Sequence, residues 1–247
     1  MSAKSYQLSA DCYQPVMLDD RLKEMLAMVI EQVVHTGEPV GSQYLVQTYN
    51  LTISPATARN YLSALEQDEY ITHPHTSSGR IPTEKGYHYY VEQIMKPRML
   101  SKKERNDLET AAQATHEDER NVKQLAKSAA DLAQNAVIIG IGDMDSFYTG
   151  LSQLFSQPEF KDWNRIVSMS DILDRMDEVL MTLRQKFYER PTPLIGTNCP
   201  FGPMCGAVVT SLKQGHVIGI LGPMRMDYSH AISLLNHIQS LLDDTNS

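Results

Sequence analysis

The chain has 247 residues, of which 42% are hydrophobic and 21% are charged, and its formal net charge is −8. This composition is typical of a globular protein with one or two domains and excludes a disordered chain. Residues 1–98 hold 8 Lys and Arg against 11 Asp and Glu, and the remainder holds 14 against 19. Because neither part is basic, a protein that holds nucleic acid by charge alone is excluded, whereas a sequence reader with a small contact patch is not.

Membrane and disulfide signals are missing from the sequence. No segment approaches the roughly 18 consecutive apolar residues that a membrane helix needs, and the first residues lack the apolar core of a signal peptide. The three cysteines are too few for a disulfide framework. We therefore expect a cytoplasmic protein without a membrane partner, associated with the nucleoid if it binds DNA.

The first predicted helix covers "LDDRLKEMLAMVIEQVVHTG", residues 18–37. Its apolar residues recur at three- and four-residue steps, which predicts one buried stripe. Asp19 and Asp20 favour a helix start because the helix dipole stabilises acids there, and Gly37 favours its end. A short second helix follows, for which Ser42 is the predicted N-cap.

A third helix is predicted over "SPATARNYLSALEQ", with Ser54 as N-cap and Pro55 at the first helical position. Ala58, Leu62 and Leu65 are spaced to face inward, which leaves the intervening polar and small residues outward. Two helices joined by a short turn, the second beginning with hydrogen-bonding residues, favour a helix-turn-helix. An ordinary helical hairpin with a solvated face is the alternative.

The outward residues suit contacts with base edges. Arg59 can donate twice to guanine O6 and N7, and Asn60 can pair with adenine. The methyl groups of Ala56 and Thr57 can touch a thymine methyl. The stretches "YITH" and "GRIP" then predict two short strands joined by the tip "PHTSS", and a hairpin after a third helix is the winged-helix arrangement. Hydroxyls, backbone N–H groups and one arginine there suit phosphate oxygens.

The predicted DNA contacts fall on the second helix, the third helix and the hairpin. They are Ser42, Gln43, Ser54, Ala56, Thr57, Arg59, Asn60, Ser63, His75, Thr76, Ser77, Ser78 and Arg80. Thr83 is expected to cap a fourth helix directly after the hairpin.

Several of these motifs match a known family. The stretches "TGEPVGSQYL", "ISPATARNYLSALEQDEYITHPHTSSGRIPTEKGYHYYV" and "GPMRMDYSHAISLL" resemble the heat-inducible transcription repressor HrcA of bacteria. "YTGLSQLFSQPEF" and "LIGTNCPFGPMCGAVVTSLKQGHVIGILGPMRMDY" resemble that family's GAF-like domain. Two positions depart from the family motif, because Glu69 stands where a glycine is usual and His88 where an arginine is common.

The resemblance implies a repressor of chaperone genes that binds an inverted-repeat operator, the CIRCE element, as a homodimer through a winged helix. It also implies that the chaperonin GroEL modulates the repressor and that repression is relieved on heat stress. The family's inserted dimerising segment is expected to be missing here, because "LAQNAVIIGIGD" ends at Asp143 and "YTGLSQLFSQPEF" begins at Tyr148.

The second half of the chain predicts an α+β domain. One connecting helix is expected to run from Ser101 to about Asn135, with an apolar stripe near its end that either joins the core or pairs with a second copy. "AVIIGIG", "TPLIGT", "CGAVVTSL" and "HVIGILGP" predict strands, and "DILDRMDEVLMTLRQKFYER" and "DYSHAISLLNHIQSLLDD" predict amphipathic helices. The expected division is a winged-helix domain over 1–98, a connecting helix over 99–136 and a reduced GAF-like domain over 137–247.

Evidence for other chemistry is thin. Cys199 and Cys205 are too far apart for a C-x2-C zinc pattern, and no carboxylate completes a site with His73 and His75. No catalytic constellation can be assembled, so we expect no enzyme activity, no cofactor and no metal. Arg225 and Asp227 are expected to form a fixed ion pair or to cap the last helix. The alternatives to a repressor are a regulator that senses a small molecule or redox state through its GAF-like domain, and a chaperone-dependent interaction protein without an operator.

Overall fold

The computed structural model describes residues 17–74, 79–113, 118–141, 145–161, 174–212 and 215–244. Its N-terminal unit contains three helices, a pair of short strands and a fourth helix. In chain order these are α1 (Asp20–Thr36), α2 (Ser42–Thr48), α3 (Pro55–Gln67), β1 (Ile71–Thr72), β2 (Ile81–Pro82) and α4 (Glu84–Tyr89), which continues as a π-helical turn over Tyr90–Ile94. None of the described helices is long and apolar enough to cross a membrane.

Capping residues define the helices of this unit. Asp19 accepts a hydrogen bond from the Leu22 backbone at the start of α1, and Gly37 ends that helix with a φ of 71°. Ser54 accepts from the Thr57 backbone at the start of α3, as predicted. The predicted helix α2 is present, but its predicted N-cap was wrong, because Gly41 is the N-cap and Ser42 is the first helical residue. Gly41 suits this position because its backbone is extended there and leaves no side chain to compete for the turn.

The two short strands pair antiparallel, with Ile71 opposite Pro82 and Thr72 opposite Ile81. They are shorter than the predicted strands, and residues 75–78 of the predicted tip lie outside the described residues. The chain enters β1 through Glu69, whose φ is 61°. This left-handed conformation favours glycine, so Glu69 occupies it at a cost in backbone strain.

The connecting segment forms two helices rather than the single helix that was predicted. They are α5 (Lys102–Gln113) and α6 (Asp118–Ala133), and they pack against each other. A single straight helix is wrong because it would hold these two segments apart. Packing them together buries Leu108, Leu125 and Ala129 in one core. The apolar stripe of α6 therefore joins the core of its own chain, which is the first of the two predicted alternatives.

The C-terminal unit is built on a five-stranded antiparallel sheet. Its strands are β3 (Ala136–Ile141), β4 (Asp145–Thr149), β5 (Thr192–Ile195), β6 (Cys205–Ser211) and β7 (Val217–Pro223), in the spatial order β4-β3-β7-β6-β5. The helices of this unit are α7 (Leu151–Phe155), α8 (Met176–Arg184) and α9 (Tyr228–Asp244). The α+β class is confirmed, as are the four predicted strands, whereas β4 was not predicted.

Apolar residues cover both faces of this sheet. One face packs with α5, α6 and α9, and that core continues without a break into the buried residues of α1, α3 and α4. The other face packs with α7 and α8, around Phe160 and Phe201. The core of the N-terminal unit thus reaches the sheet, and the predicted domain limits at residues 98 and 136 stay a prediction.

Candidate nucleic-acid interface

The outward face of α3 is exposed along its first two turns. Ala56, Arg59 and Asn60 are exposed, while Ala58 and Leu62 on the opposite side are buried. Within the part of the chain that the structure describes, the side chains of Arg59 and Asn60 form no hydrogen bond or ion pair with another residue. Their donors therefore point into solvent and are available to a ligand.

Other predicted contacts on this face are already engaged. The Ser54 hydroxyl accepts from the Thr57 backbone at 3.1 Å and lies 3.0 Å from the Thr57 hydroxyl. Both hydroxyls thus serve first to start the helix. Ser63 is half-buried. Gln43 is exposed on α2, but Ser42 is buried with 9% of its surface accessible, so its hydroxyl is not presented outward as expected.

Arg80 lies at the base of the hairpin in an ion pair. Its Nη2 donates to Glu66 Oε2 at 3.0 Å, and the side chain is only 19% exposed. His73 Nε2 lies 2.9 Å from the other oxygen of Glu66. The Arg80 backbone also exchanges two hydrogen bonds with Val40. These contacts fasten the hairpin to α3 and to the segment before α2. His75, Thr76, Ser77 and Ser78 lie outside the described residues.

Arg225 joins the two units, a role that the sequence did not predict. Its Nη1 donates to the Val34 carbonyl at 2.9 Å, its Nη2 donates to Gln157 Oε1 at 2.8 Å, and Glu159 accepts from both Nε and Nη2. The side chain is 12% exposed. The expected ion pair with Asp227 is wrong, because Glu159 is the partner. Asp227 instead caps α9 by accepting from the His230 backbone at 2.9 Å, which confirms the second expectation.

A second polar contact between the units lies at the start of α4. The Glu84 carboxylate accepts from the backbone and hydroxyl of Thr197, in the turn after β5. Gly196 has a φ of 56°, and a Cβ there would lie 2.3 Å from Glu84 Cδ. The turn therefore needs glycine both for its backbone conformation and for the approach of Glu84.

The two cysteines within the described residues show no sign of redox or metal chemistry. Cys199 and Cys205 are buried free thiols, and burial raises the pKa of each to about 12. A thiol with such a pKa is almost entirely protonated at neutral pH and is a poor nucleophile or metal ligand. Among the described residues, no group of three or more His, Cys, Asp or Glu could hold a metal ion.

The chain is similar to proteins of one family. The family model described as "HrcA protein C terminal domain" matches residues 91–232. The heat-inducible transcription repressor HrcA of Frankia casuarinae is 38% identical over 130 residues, which are 53% of this chain and 38% of that protein. The protein of the same name from Thermobifida fusca is 41% identical over 123 residues, which are 50% of this chain and 36% of that protein. These matches thus cover well under half of the relatives' length.

The fold also has a counterpart among solved structures. A crystal structure of a hypothetical protein at 2.2 Å resolution superimposes with a TM-score of 0.75 and 16% identity, covering 92% of this chain and 98% of that one. At this identity the likeness concerns the fold alone. The family model, in contrast, spans more than half of the present sequence, from the end of α4 into α9. On that match the chain belongs to the HrcA family.

Proposed function

We propose that this chain is a bacterial transcriptional repressor of heat-shock genes that binds an inverted-repeat operator of the CIRCE type through a winged helix. The observation that carries the proposal is the exposed face of α3, on which Arg59 and Asn60 present donors without a partner in the described chain. The names of the HrcA relatives support the same function. No catalytic role is proposed.

In this proposal α3 lies in the major groove with its first turns against the bases. Arg59 donates to guanine O6 and N7, and Asn60 pairs with adenine. Ala56 is exposed beside them and gives a methyl contact for thymine. Gln43 on α2 and the hydroxyls near the start of α3 contact the phosphate backbone, which sets the position of the helix without reading sequence.

The hairpin acts as the wing. His75, Thr76, Ser77 and Ser78 are proposed to contact phosphates from its tip. Arg80 has two roles in this proposal, because its guanidinium is held by Glu66. In the free protein it holds the wing against α3 through Glu66. To contact a phosphate, its guanidinium must leave the Glu66 carboxylate. Arg80→Ala is therefore expected to weaken binding to all sequences alike and to reduce the salt slope by about one.

Assembly and regulation follow from the family and from the symmetry of the operator. A two-fold operator requires a two-fold protein, so the active form is proposed to be a homodimer. The chaperonin GroEL is proposed as a modulator, with repression relieved on heat stress. A redox-sensing role is not favoured, because the buried thiols of Cys199 and Cys205 are protonated at neutral pH.

The deciding experiment is a titration of a labelled inverted-repeat duplex at two salt concentrations, against a scrambled duplex of the same composition. Wild type is expected to prefer the inverted repeat, and Arg59→Ala is expected to lose most of that preference. Arg190→Ala is the matched control, since Arg190 is an exposed arginine of the C-terminal unit. Equal binding of both duplexes by wild type would refute the repressor function and leave an interaction protein without an operator.

A further inference from the structure

We infer that Arg225 is a positioning residue for operator binding, because it fixes the orientation of α1, and through α1 that of α3, relative to the C-terminal sheet. The inference rests on the proposed DNA-binding function of α3. Arg225 itself lies in the tight turn between β7 and α9 and belongs to the C-terminal unit.

The guanidinium of Arg225 uses four of its five N–H donors to join the two units. It donates to one acceptor of the N-terminal unit, Val34, and to two acceptors of the C-terminal unit, Gln157 and Glu159. A planar guanidinium has five donors in a rigid fork, so it holds three acceptors in one fixed arrangement. Glu159 and Gln157 orient the guanidinium plane, and the oriented guanidinium determines where the Val34 carbonyl lies.

The acceptor on α1 is chemically suited to this contact. Val34 lies in the last turn of α1, where carbonyl groups have no partner within the helix. The negative end of the helix dipole also favours a cation at this place. Gly37 ends α1 directly beside this contact, with a φ of 71° that favours glycine. Arg225 thus caps α1 from another part of the fold.

Helix α1 transmits this position to α3. It packs directly against α3 and against β2, so the three helices and the hairpin move as one body with α1. The contact of Glu84 with Thr197 is a second attachment point, at the start of α4. Apolar burial between the units is non-directional and tolerates small rotations, whereas two polar contacts with fixed geometry do not.

Orientation matters because two copies of α3 must meet two half-sites. The distance and angle between the reading helices determine which half-site spacing a dimer accepts. If Arg225 holds α3 at a fixed angle to the C-terminal unit, this contact contributes to spacing selectivity without touching DNA. The contact of a single α3 with a single half-site does not depend on it.

The first arm of the test measures orientation without DNA. Spin labels are attached at Gln67→Cys on α3 and Glu178→Cys on α8, both exposed positions, in a Cys12→Ser background diluted with unlabelled chain. Cys199 and Cys205 are buried and escape labelling. We expect one narrow distance distribution for wild type and a broad one for Arg225→Lys, which keeps the charge but lacks the fork. Arg190→Ala is expected to match wild type, and an unchanged distribution for Arg225→Lys overturns the inference.

The second arm uses duplexes with one half-site, with two half-sites, and with two half-sites whose spacing differs by one or two base pairs. Arg225→Lys is expected to bind the single half-site like wild type. It should lose about tenfold affinity for the duplex with the native spacing, because one of two linked contacts is misplaced. It should also discriminate less between duplexes of different spacing. Full discrimination by the variant overturns the inference. Absence of operator binding by wild type instead refutes the proposed function, and the spin-label arm still decides whether Arg225 fixes the orientation.

Gln157→Ala provides a milder variant in case Arg225→Lys fails to fold. It removes one acceptor of the fork and leaves Glu159 to hold the charge. We expect the same broadening and the same loss of spacing discrimination in smaller measure. Wild-type behaviour of both variants in both arms would leave Arg225 as an ordinary stabilising side chain and overturn the inference.

Discussion

Arg59 and Arg225 show opposite uses of the same side chain. Arg59 is exposed on α3 and has no partner in the described chain, whereas Arg225 is 12% exposed and donates to three residues. A side chain that already donates four hydrogen bonds inside the protein cannot offer those donors to a ligand without breaking contacts of the fold. The comparison therefore separates two regions. The face of α3 is free to bind, whereas the joint, formed by Arg225 with Val34, Gln157 and Glu159, determines where this face lies.

The two regions also differ in the residue types that occupy left-handed backbone positions. At the joint, the left-handed positions Gly37 and Gly196 are glycines, and Glu84 occupies the place that a Cβ of Gly196 would take. In the unit that carries α3, the left-handed position before β1 is Glu69. The joint thus has the residues that its conformation favours, while the reading unit contains a strained non-glycine residue.

The largest effect is expected from Arg225→Ala, measured as the free energy of unfolding in urea. The change removes the Arg225 guanidinium from the Glu159 carboxylate, which is 20% exposed, and removes the hydrogen bond that the Val34 carbonyl accepts from it. Removal of one partner from a buried pair costs about 3 kcal/mol. Arg190→Ala serves as the control and should change stability by less than about 0.5 kcal/mol. A loss for Arg225→Ala as small as that of the control would remove the distinction between joint and surface.

The next largest effect is expected from Arg59→Ala, measured as operator affinity. Loss of the two donors to guanine should cost about 1–3 kcal/mol on the preferred sequence and relax specificity at that base pair. Because Arg59 is exposed, the free energy of unfolding of the Arg59→Ala variant should stay within about 0.5 kcal/mol of wild type. Equal losses of affinity on operator and scrambled duplexes would place Arg59 on the phosphate backbone instead.

Local signals predicted the elements that depend on local chemistry. The cap at Ser54, the acidic start of α1 and the inward spacing of Ala58, Leu62 and Leu65 are read directly from neighbouring residues, and the structure confirms them. The outward face of α3 follows from the same spacing. The contacts of these residues with DNA stay a prediction.

The joint could not be predicted because its partners are distant along the chain. Val34 is 191 residues from Arg225, and Glu159 is 66 residues from it. No periodicity relates them, and the nearby Asp227 was the more obvious partner. Strand β4 was missed for a different reason, since "DSFYT" is short, lies at the sheet edge and alternates only weakly between polar and apolar residues.

A smaller effect of opposite sign is expected from Glu69→Gly. The left-handed conformation costs a non-glycine residue about 1–2 kcal/mol, and the extra backbone entropy of glycine in the unfolded chain offsets part of this gain. We therefore expect the free energy of unfolding to rise by about 0.5–1 kcal/mol. Glu38→Gly, an exposed-loop control without a positive φ, should lower stability, and a loss in both variants would show that Glu69 is not strained.

The smallest effect is expected in the pH dependence of the free energy of unfolding, through a buried cluster around His230. His230 Nε2 lies 2.8 Å from Glu104 Oε1 in a buried cluster, and Arg98 and Asp227 also face this cluster. Burial lowers the pKa of His230, and Arg98 lowers it further, against the opposite influence of Glu104 and Asp227. For Glu104, burial raises the pKa, but hydrogen bonds from Ser101 and the charge of Arg98 outweigh it, so the net pKa is lowered.

Both shifts destabilise the fold on the acidic side. The imidazole of His230 has a pKa below its ordinary value of 6.5 in the folded chain, so the unfolded chain takes up more protons as the pH falls through 6.5. Stability from His230 is complete above this pH and is lost below it, until the folded imidazole is itself protonated. Stability from Glu104 persists to lower pH and is lost as the pH falls through its lowered pKa. The test is urea unfolding of wild type and His230→Gln between pH 7.5 and pH 5, a range of about 2.5 units around the ordinary histidine pKa. The free energy of unfolding should decline less with falling pH in the variant than in wild type. Equal slopes would mean that His230 titrates alike in the folded and unfolded chains, so that burial in this cluster does not lower its pKa.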